Sequence, residues 1–133
     1  MRLVLVSLIT LLALAACGGS PASVTTAQVA EKLTAVGATD IKDEVFGADS
    51  IVPKSYIAHQ EFIIPSVAPK GGHYFICDTK KNCDAIYAYY DALKALAGPY
   101  LYQSPSGTVV AQLNSGLTPD EAAKFEQAIK SLP

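Results

Sequence analysis

The sequence predicts an α+β fold, a small antiparallel or mixed sheet of four to five strands with about three helices packed mainly on one face. Apolar residues recur at helical spacing in three segments, each preceded by residues that cap helices. Between these segments lie short stretches with the alternation and the β-branched or aromatic content of strands. Strands that are joined by hairpins and interleaved with helices are typical of α+β domains.

The first helix is predicted to begin after Thr25. Thr25 and Gln28 have the spacing of a capping box, in which each side chain binds the other residue's backbone N–H. Val29 and Leu33 share one apolar face, and Gly37 stands where a glycine commonly ends a helix.

The central part of the chain contains the next strands. Residues 40–46 are a candidate for a short exposed strand, and residues 56–64 predict a strand that Pro65 stops. Residues 66–72 are predicted to form a loop that connects a hairpin, and residues 73–77 form the returning strand.

A second helix is predicted from Cys83 to Ala97, with Asn82 as its N-cap and Gly98 at its end. Its core face comprises Ile86, Tyr89, Tyr90, Leu93 and Leu96.

The last third of the domain predicts a hairpin and a final helix. Residues 100–103 and 108–113 are strands joined by the turn 104–107, which has proline and glycine where a type I turn prefers them. Thr118 then caps a helix and Glu121 completes its capping box. The apolar stripe of this helix comprises Ala122, Phe125, Ile129 and Leu132.

The N-terminal residues predict the localisation of the protein and are not expected to be part of the fold. One cation, Arg2, precedes an apolar run of about 14 residues, which is short of the roughly 20 that span a bilayer and typical of a signal peptide. The run ends in Leu14-Ala15-Ala16-Cys17, which resembles the lipobox of bacterial lipoproteins. That resemblance implies cleavage before Cys17, diacylglycerol on its sulfur and usually acylation of its amine.

The domain organisation follows from this resemblance. Residues 1–16 are predicted to be a cleaved signal peptide, residues 17–23 the lipidated cysteine and a flexible tether, and residues 24–133 a single α+β domain. The protein is expected on the cell membrane or the outer membrane, held by the lipid on Cys17 and with its domain outside the cytoplasm.

The composition argues against nucleic acid as a partner. Without Arg2, nine lysines stand against twelve acidic residues, and the mature chain contains no arginine. A chain with a net negative charge and no basic patch lacks the electrostatic footprint of nucleic-acid binding.

Cys77 and Cys83 are predicted to form a disulfide, since paired cysteines in exported proteins are normally oxidised. Closing so short a loop stabilises a fold by about 2 kcal/mol. A redox role is the alternative, because Cys83 begins a predicted helix, where the pKa of a thiol falls. His73 with the two cysteines matches no structural zinc pattern, so the sequence predicts no metal and no cofactor.

The sequence contains no recognisable catalytic motif, and we expect a domain that is not an enzyme. Tyr87, Tyr100 and Tyr102 are candidates for a binding surface. The segment AGPYLYQSPSGTVVAQLN resembles the C-terminal part of small uncharacterised bacterial lipoproteins, which implies no activity. The predicted function is a lipid-anchored envelope protein that binds a protein or another envelope component. A thiol–disulfide protein and a small-ligand carrier are the alternatives.

Overall fold

A computed structural model describes residues 23–133, so the predicted signal peptide and Cys17 lie outside the described residues. The fold is α+β, as predicted, with five strands in one antiparallel sheet. In chain order the elements are α1 Thr26–Ala35, β1 Thr39–Asp43, β2 Ala58–Ile63, a 3₁₀ turn Pro65–Val67, β3 Gly71–Ile76, α2 Lys80–Ala92, α3 Lys94–Ala97, β4 Leu101–Gln103, β5 Val109–Leu113 and α4 Pro119–Lys130. None of the helices within residues 23–133 combines the length and hydrophobicity needed to cross a bilayer.

The sheet has the strand order β1-β2-β3-β5-β4. In the β2–β3 hairpin, His59 lies opposite Phe75 and Glu61 lies opposite His73. Because side chains alternate between the two faces of a strand, these four residues share one face of the sheet.

Each face of the sheet has its own core. The first core contains residues of α1, α4 and alternate strand positions: Val29, Leu33, Phe62, Tyr74, Ile76, Val109, Ala111, Leu113, Ala122, Phe125 and Ile129. The second core contains residues of α2 and the other strand positions: Phe75, Cys77, Cys83, Ile86, Tyr90, Leu101 and Val110. Two of the three long helices therefore pack on one face and α2 packs on the other. The connection 44–57 adds Phe46, Val52 and Tyr56 to the second core.

Four of the predicted local signals are confirmed. Thr25 and Thr118 cap α1 and α4, and both form complete capping boxes. Gly37 follows the C-cap of α1 with a φ of 109°, in the left-handed region that favours glycine. Gly107 closes the β4–β5 turn by donating its N–H to Ser104 O over 2.9 Å.

The middle helix differs from the prediction at both ends. It begins at Lys80 rather than Cys83, because the Thr79 hydroxyl accepts the Asn82 N–H and so caps the helix one turn earlier. Its regular part ends at Ala92, and α3 follows after Leu93. This break turns Leu96, a predicted core residue, into one that is 86% exposed.

Strand β3 begins earlier than predicted, at Gly71 instead of His73. A Cβ atom added at Gly71 would lie 2.0 Å from Phe62 O on the neighbouring strand. The missing side chains of Gly71 and Gly72 allow the strands to approach here, which lengthens the hairpin that positions His73.

Candidate metal centre

Glu44, His59 and His73 bring three possible metal-ligand atoms together on the second face of the sheet. His59 Nε2 lies 3.2 Å from Glu44 Oε2 and 3.2 Å from His73 Nδ1. His73 Nδ1 lies 3.8 Å from the same carboxylate oxygen. The three atoms form a compact triangle.

Strand pairing positions the two histidines. His59 faces Phe75 and His73 faces Glu61, so the two imidazoles are diagonal neighbours on one face of the hairpin. Each ring is thus held by a strand, which fixes a ligand more firmly than a free loop does.

Glu44 is the first residue after β1, and its backbone is tied to β2. The Glu44 N–H donates to His59 O over 3.1 Å, and Glu44 O lies 3.1 Å from His59 Nδ1. A carbonyl oxygen can only accept, so the neutral ring of His59 carries its proton on Nδ1. His59 Nε2 therefore carries a lone pair, and this atom lies close to both Glu44 Oε2 and His73 Nδ1.

Aromatic rings hold the His59 imidazole in this orientation. Phe46 and Phe75 stack on its two faces, each with a ring-centroid distance of 4.4 Å. The side chain of His59 is fully buried, whereas those of Glu44 and His73 retain some exposure. The triangle therefore has a closed side at His59 and an accessible side at the other two residues.

The second ring nitrogen of His73 is a buried polar atom that is not satisfied. His73 Nε2 has no hydrogen-bond partner of good geometry among the described residues. Gln112 lies opposite His73 on the neighbouring strand β5, and its side chain acts to raise the pKa of His73. The amide nitrogen of Gln112 donates to Ala97 O and Leu113 O. Native proteins leave few buried polar groups in this state.

Burial shifts the titration of all three residues toward neutral forms. Burial lowers the pKa of His59, against the favourable effect of its hydrogen bond to Glu44 O. Burial and the neighbouring His59 together lower the pKa of His73 to about 4. Burial and the nearby Glu61 carboxylate raise the pKa of Glu44. Both imidazoles are therefore neutral near pH 7, which is the form that binds metal ions.

A cleft of about 230 Å³ opens beside the triangle. Its lining is mainly polar and comprises Glu44, Glu61, Gly71, Gly72, His73, Ala97, Gln112 and Asn114. The lining includes the carboxylates of Glu44 and Glu61 and no lysine or arginine. Glu61 is paired with Lys42 Nζ at 2.9 Å, so the negative charge that favours a positively charged ligand in the cleft is that of Glu44.

Cys77 and Cys83 form a disulfide, as predicted, with a Cα–Cα distance of 5.5 Å. Both cysteines are buried in the second core. Their sulfurs are bonded to each other, so the conceivable metal set of His73 and two thiolates does not form. Burial also limits the access of other thiols to this bond.

The three candidate tyrosines do not lie together. Tyr87 packs partly buried against the second core, whereas Tyr100 and Tyr102 pack against the first core. The Tyr100 hydroxyl donates to Leu117 O over 3.0 Å. The sheet thus separates Tyr87 from the other two.

Sequence reasoning did not predict that Glu44 and His59 lie beside His73. The signal that could have revealed it is the pair of histidines in two strands joined by a short connection. In an antiparallel hairpin with the observed register, these positions face the same side. Glu44 gives no such signal, because the connection 44–57 separates it from β2.

No protein-family model matches this chain, and no curated protein or solved structure matches it either. The likeness to bacterial lipoproteins therefore stays a prediction from the sequence.

Proposed function

We propose that this chain is a lipid-anchored protein of the bacterial envelope whose domain binds a small, positively charged ligand in the cleft beside His73. The observation that carries the proposal is that the cleft adjoins the Glu44–His59–His73 triangle, since Glu44 and His73 belong to both. Binding sites are typically concave, with a few convergent polar groups and residues of perturbed pKa.

The lipid anchor and the export are supported by residues 14–17 and by the disulfide. The Leu14-Ala15-Ala16-Cys17 pattern resembles a lipobox. A disulfide between Cys77 and Cys83 is stable in the oxidising compartments that a lipoprotein signal serves. A ligand-binding domain held at a membrane surface corresponds to the small-ligand carrier, which the sequence leaves as an alternative to the binding of a protein or another envelope component.

A substitution at one lining residue tests the cleft. Ala97 lines the cleft from α3, whereas Ala95 on the same short helix is exposed and outside it. Ala97→Tyr places a large side chain at the cleft, and Ala95→Tyr is the matched control.

Native mass spectrometry of the full-length gene product, extracted from bacterial membranes in mild detergent, tests the proposal. We expect a chain that begins at Cys17, carries lipid mass and holds a non-covalent ligand that Ala97→Tyr loses and Ala95→Tyr retains. A Cys17→Ser variant should leave the membrane fraction or accumulate unprocessed. An unlipidated wild-type chain would contradict the anchor, and a wild type without ligand, or equal occupancy in both tyrosine variants, would contradict the binding function.

A further inference from the structure

We propose that Glu44 Oε2, His59 Nε2 and His73 Nδ1 bind one divalent transition-metal ion of the zinc class, with a coordination position open toward the cleft. The inference rests on the proposed function, because it specifies the ligand of the same cleft. It adds a metal site to a sequence that predicts none.

The spacing of the three atoms fits a metal ion. The sides of the triangle are 3.2, 3.2 and 3.8 Å. Zinc binds histidine nitrogen and carboxylate oxygen at about 2.0–2.2 Å, which separates two ligands of a tetrahedron by roughly 3.3–3.5 Å. A point about 2 Å from all three atoms therefore exists close to the plane of the triangle.

The ligand types select the class of metal. Two imidazoles and one carboxylate suit zinc and neighbouring transition metals, whereas magnesium and calcium prefer oxygen ligands alone. Two histidines and one glutamate with an open fourth position are also the ligand set of several zinc sites.

Hydrogen bonding without a metal leaves this group of atoms unsatisfied. His59 Nε2 presents a lone pair to the Glu44 carboxylate, which also only accepts when ionised. A proton on His73 Nδ1 would bridge the two rings but leave His73 Nε2 as a buried acceptor without a donor. A cation placed among the three atoms satisfies their lone pairs together and lets Nε2 carry its proton beside Gln112.

The surroundings supply the supports that metal ligands usually have. A ligating histidine commonly donates its other N–H to a backbone carbonyl or carboxylate, and His59 Nδ1 does so to Glu44 O. Phe46 and Phe75 stack on the same ring and exclude water from the closed side. Glu44 and His73 line the cleft, so the open coordination position faces it.

Glu44→Gln is the decisive variant, because it replaces an ionised ligand with an amide of nearly the same shape. Asp43→Asn is its matched control. It removes one negative charge from the adjacent residue, whose side chain accepts from Gln60 Nε2 at 2.7 Å and belongs to no part of the triangle.

The test is a calorimetric titration of metal-free full-length protein with ZnCl₂ at neutral pH. We expect one equivalent of Zn²⁺ per chain, with affinity reduced at least about 100-fold in Glu44→Gln and essentially unchanged in Asp43→Asn. Circular dichroism of each variant checks that it is folded, and uptake of Co²⁺ by the wild type gives a visible spectrum that reports nitrogen and oxygen ligands. A His59→Ala or His73→Ala variant that remains folded should lose the Co²⁺ spectrum.

Unsaturable uptake, a wild type that takes up no metal, or equal affinity in Glu44→Gln would overturn the metal site. The broader proposal can survive that result. A cleft ligand other than metal, found by native mass spectrometry and lost in Ala97→Tyr, would keep the binding function while removing the metal.

Discussion

At the scale of single residues, Tyr74 and His73 occupy adjacent positions of β3, and each has a buried polar group. They differ in whether that group is hydrogen-bonded. The ring of Tyr74 is completely buried in the first core, and burial raises the pKa of its hydroxyl. This hydroxyl lies within hydrogen-bonding distance of Gln60 Oε1 and of Thr26 O, the latter at 3.2 Å. Tyr74 thus belongs to a satisfied network, whereas His73 Nε2 does not. The unsatisfied group is the one at the cleft, where function and stability make different demands.

Tyr74→Phe should lower the free energy of unfolding by about 1 kcal/mol, because it removes the hydroxyl that donates toward the half-buried oxygens of Gln60 and Thr26. Urea denaturation followed by circular dichroism measures the change. Tyr87→Phe is the control, since Tyr87 is only partly buried and its hydroxyl forms no hydrogen bond to another part of residues 23–133. The control should stay within about 0.5 kcal/mol of the wild type. Equal stability of the two variants would contradict the network.

At the scale of elements, the caps of the helices contribute stability through local contacts. In α4 the Thr118 hydroxyl accepts the Glu121 N–H over 3.3 Å, and Glu121 Oε2 accepts the Thr118 N–H over 3.0 Å. Asp120 and Glu121 place negative charge in the first turn, where the helix dipole favours it. The helix presents Phe125 and Ile129 to the first core, so its beginning also fixes how that core is covered.

Thr118→Ala should destabilise the domain by about 1 kcal/mol, because Ala cannot accept the N–H at the start of α4. Thr118→Ser keeps an accepting oxygen and should recover most of that loss. Thermal unfolding of the two variants under identical conditions measures the difference. If Ser is as destabilising as Ala, the hydroxyl does not act as the cap and the contact of the Thr118 methyl group carries the effect instead.

Elements with local signals could be predicted from the sequence, whereas the candidate site could not. Thr25 and Thr118 bind backbone groups only three residues away, so their role is visible in a short window of sequence. Glu44, His59 and His73 meet only after β1, β2 and β3 have paired, and the register of that pairing is not encoded by any one residue. The predicted start of the middle helix was wrong for a related reason. Thr79 and Asn82 are both good caps, and only the packed structure selects Thr79.

At the scale of the whole molecule, the second face of the sheet is covered in two different ways. Helix α2 contacts β4 and β5, while the connection 44–57 lays Phe46 and Tyr56 over the hairpin side of the same face. The candidate site lies under the connection, and α2 reaches its edge through Tyr90, whose ring contacts that of His73. A loop over a rigid sheet can carry a ligand such as Glu44 and still admit solvent at a cleft, which a packed helix does not allow as easily.

The disulfide joins these two halves of the second face. Cys77 follows β3, the strand of His73, and Cys83 lies in the first turn of α2. The bond therefore fixes α2 relative to the hairpin, but none of the three candidate ligands lies on α2. We accordingly expect the disulfide to stabilise the fold without forming the site.

A Cys77→Ala/Cys83→Ala double variant should lose about 2 kcal/mol of unfolding free energy, as expected for the release of a short loop in the chain-entropy description. In urea its midpoint should fall, and its stability should no longer respond to added reductant. Because β2, β3 and Glu44 remain in place, its Zn²⁺ affinity at neutral pH should stay within a few-fold of the wild type. A variant that stays folded but loses Zn²⁺ binding would show that α2 helps to hold the triangle through its contact between Tyr90 and His73, whose ring centroids are 5.2 Å apart. An unchanged urea midpoint would contradict the stabilising role of the bond, because the variant without the disulfide would then be as stable as the wild type.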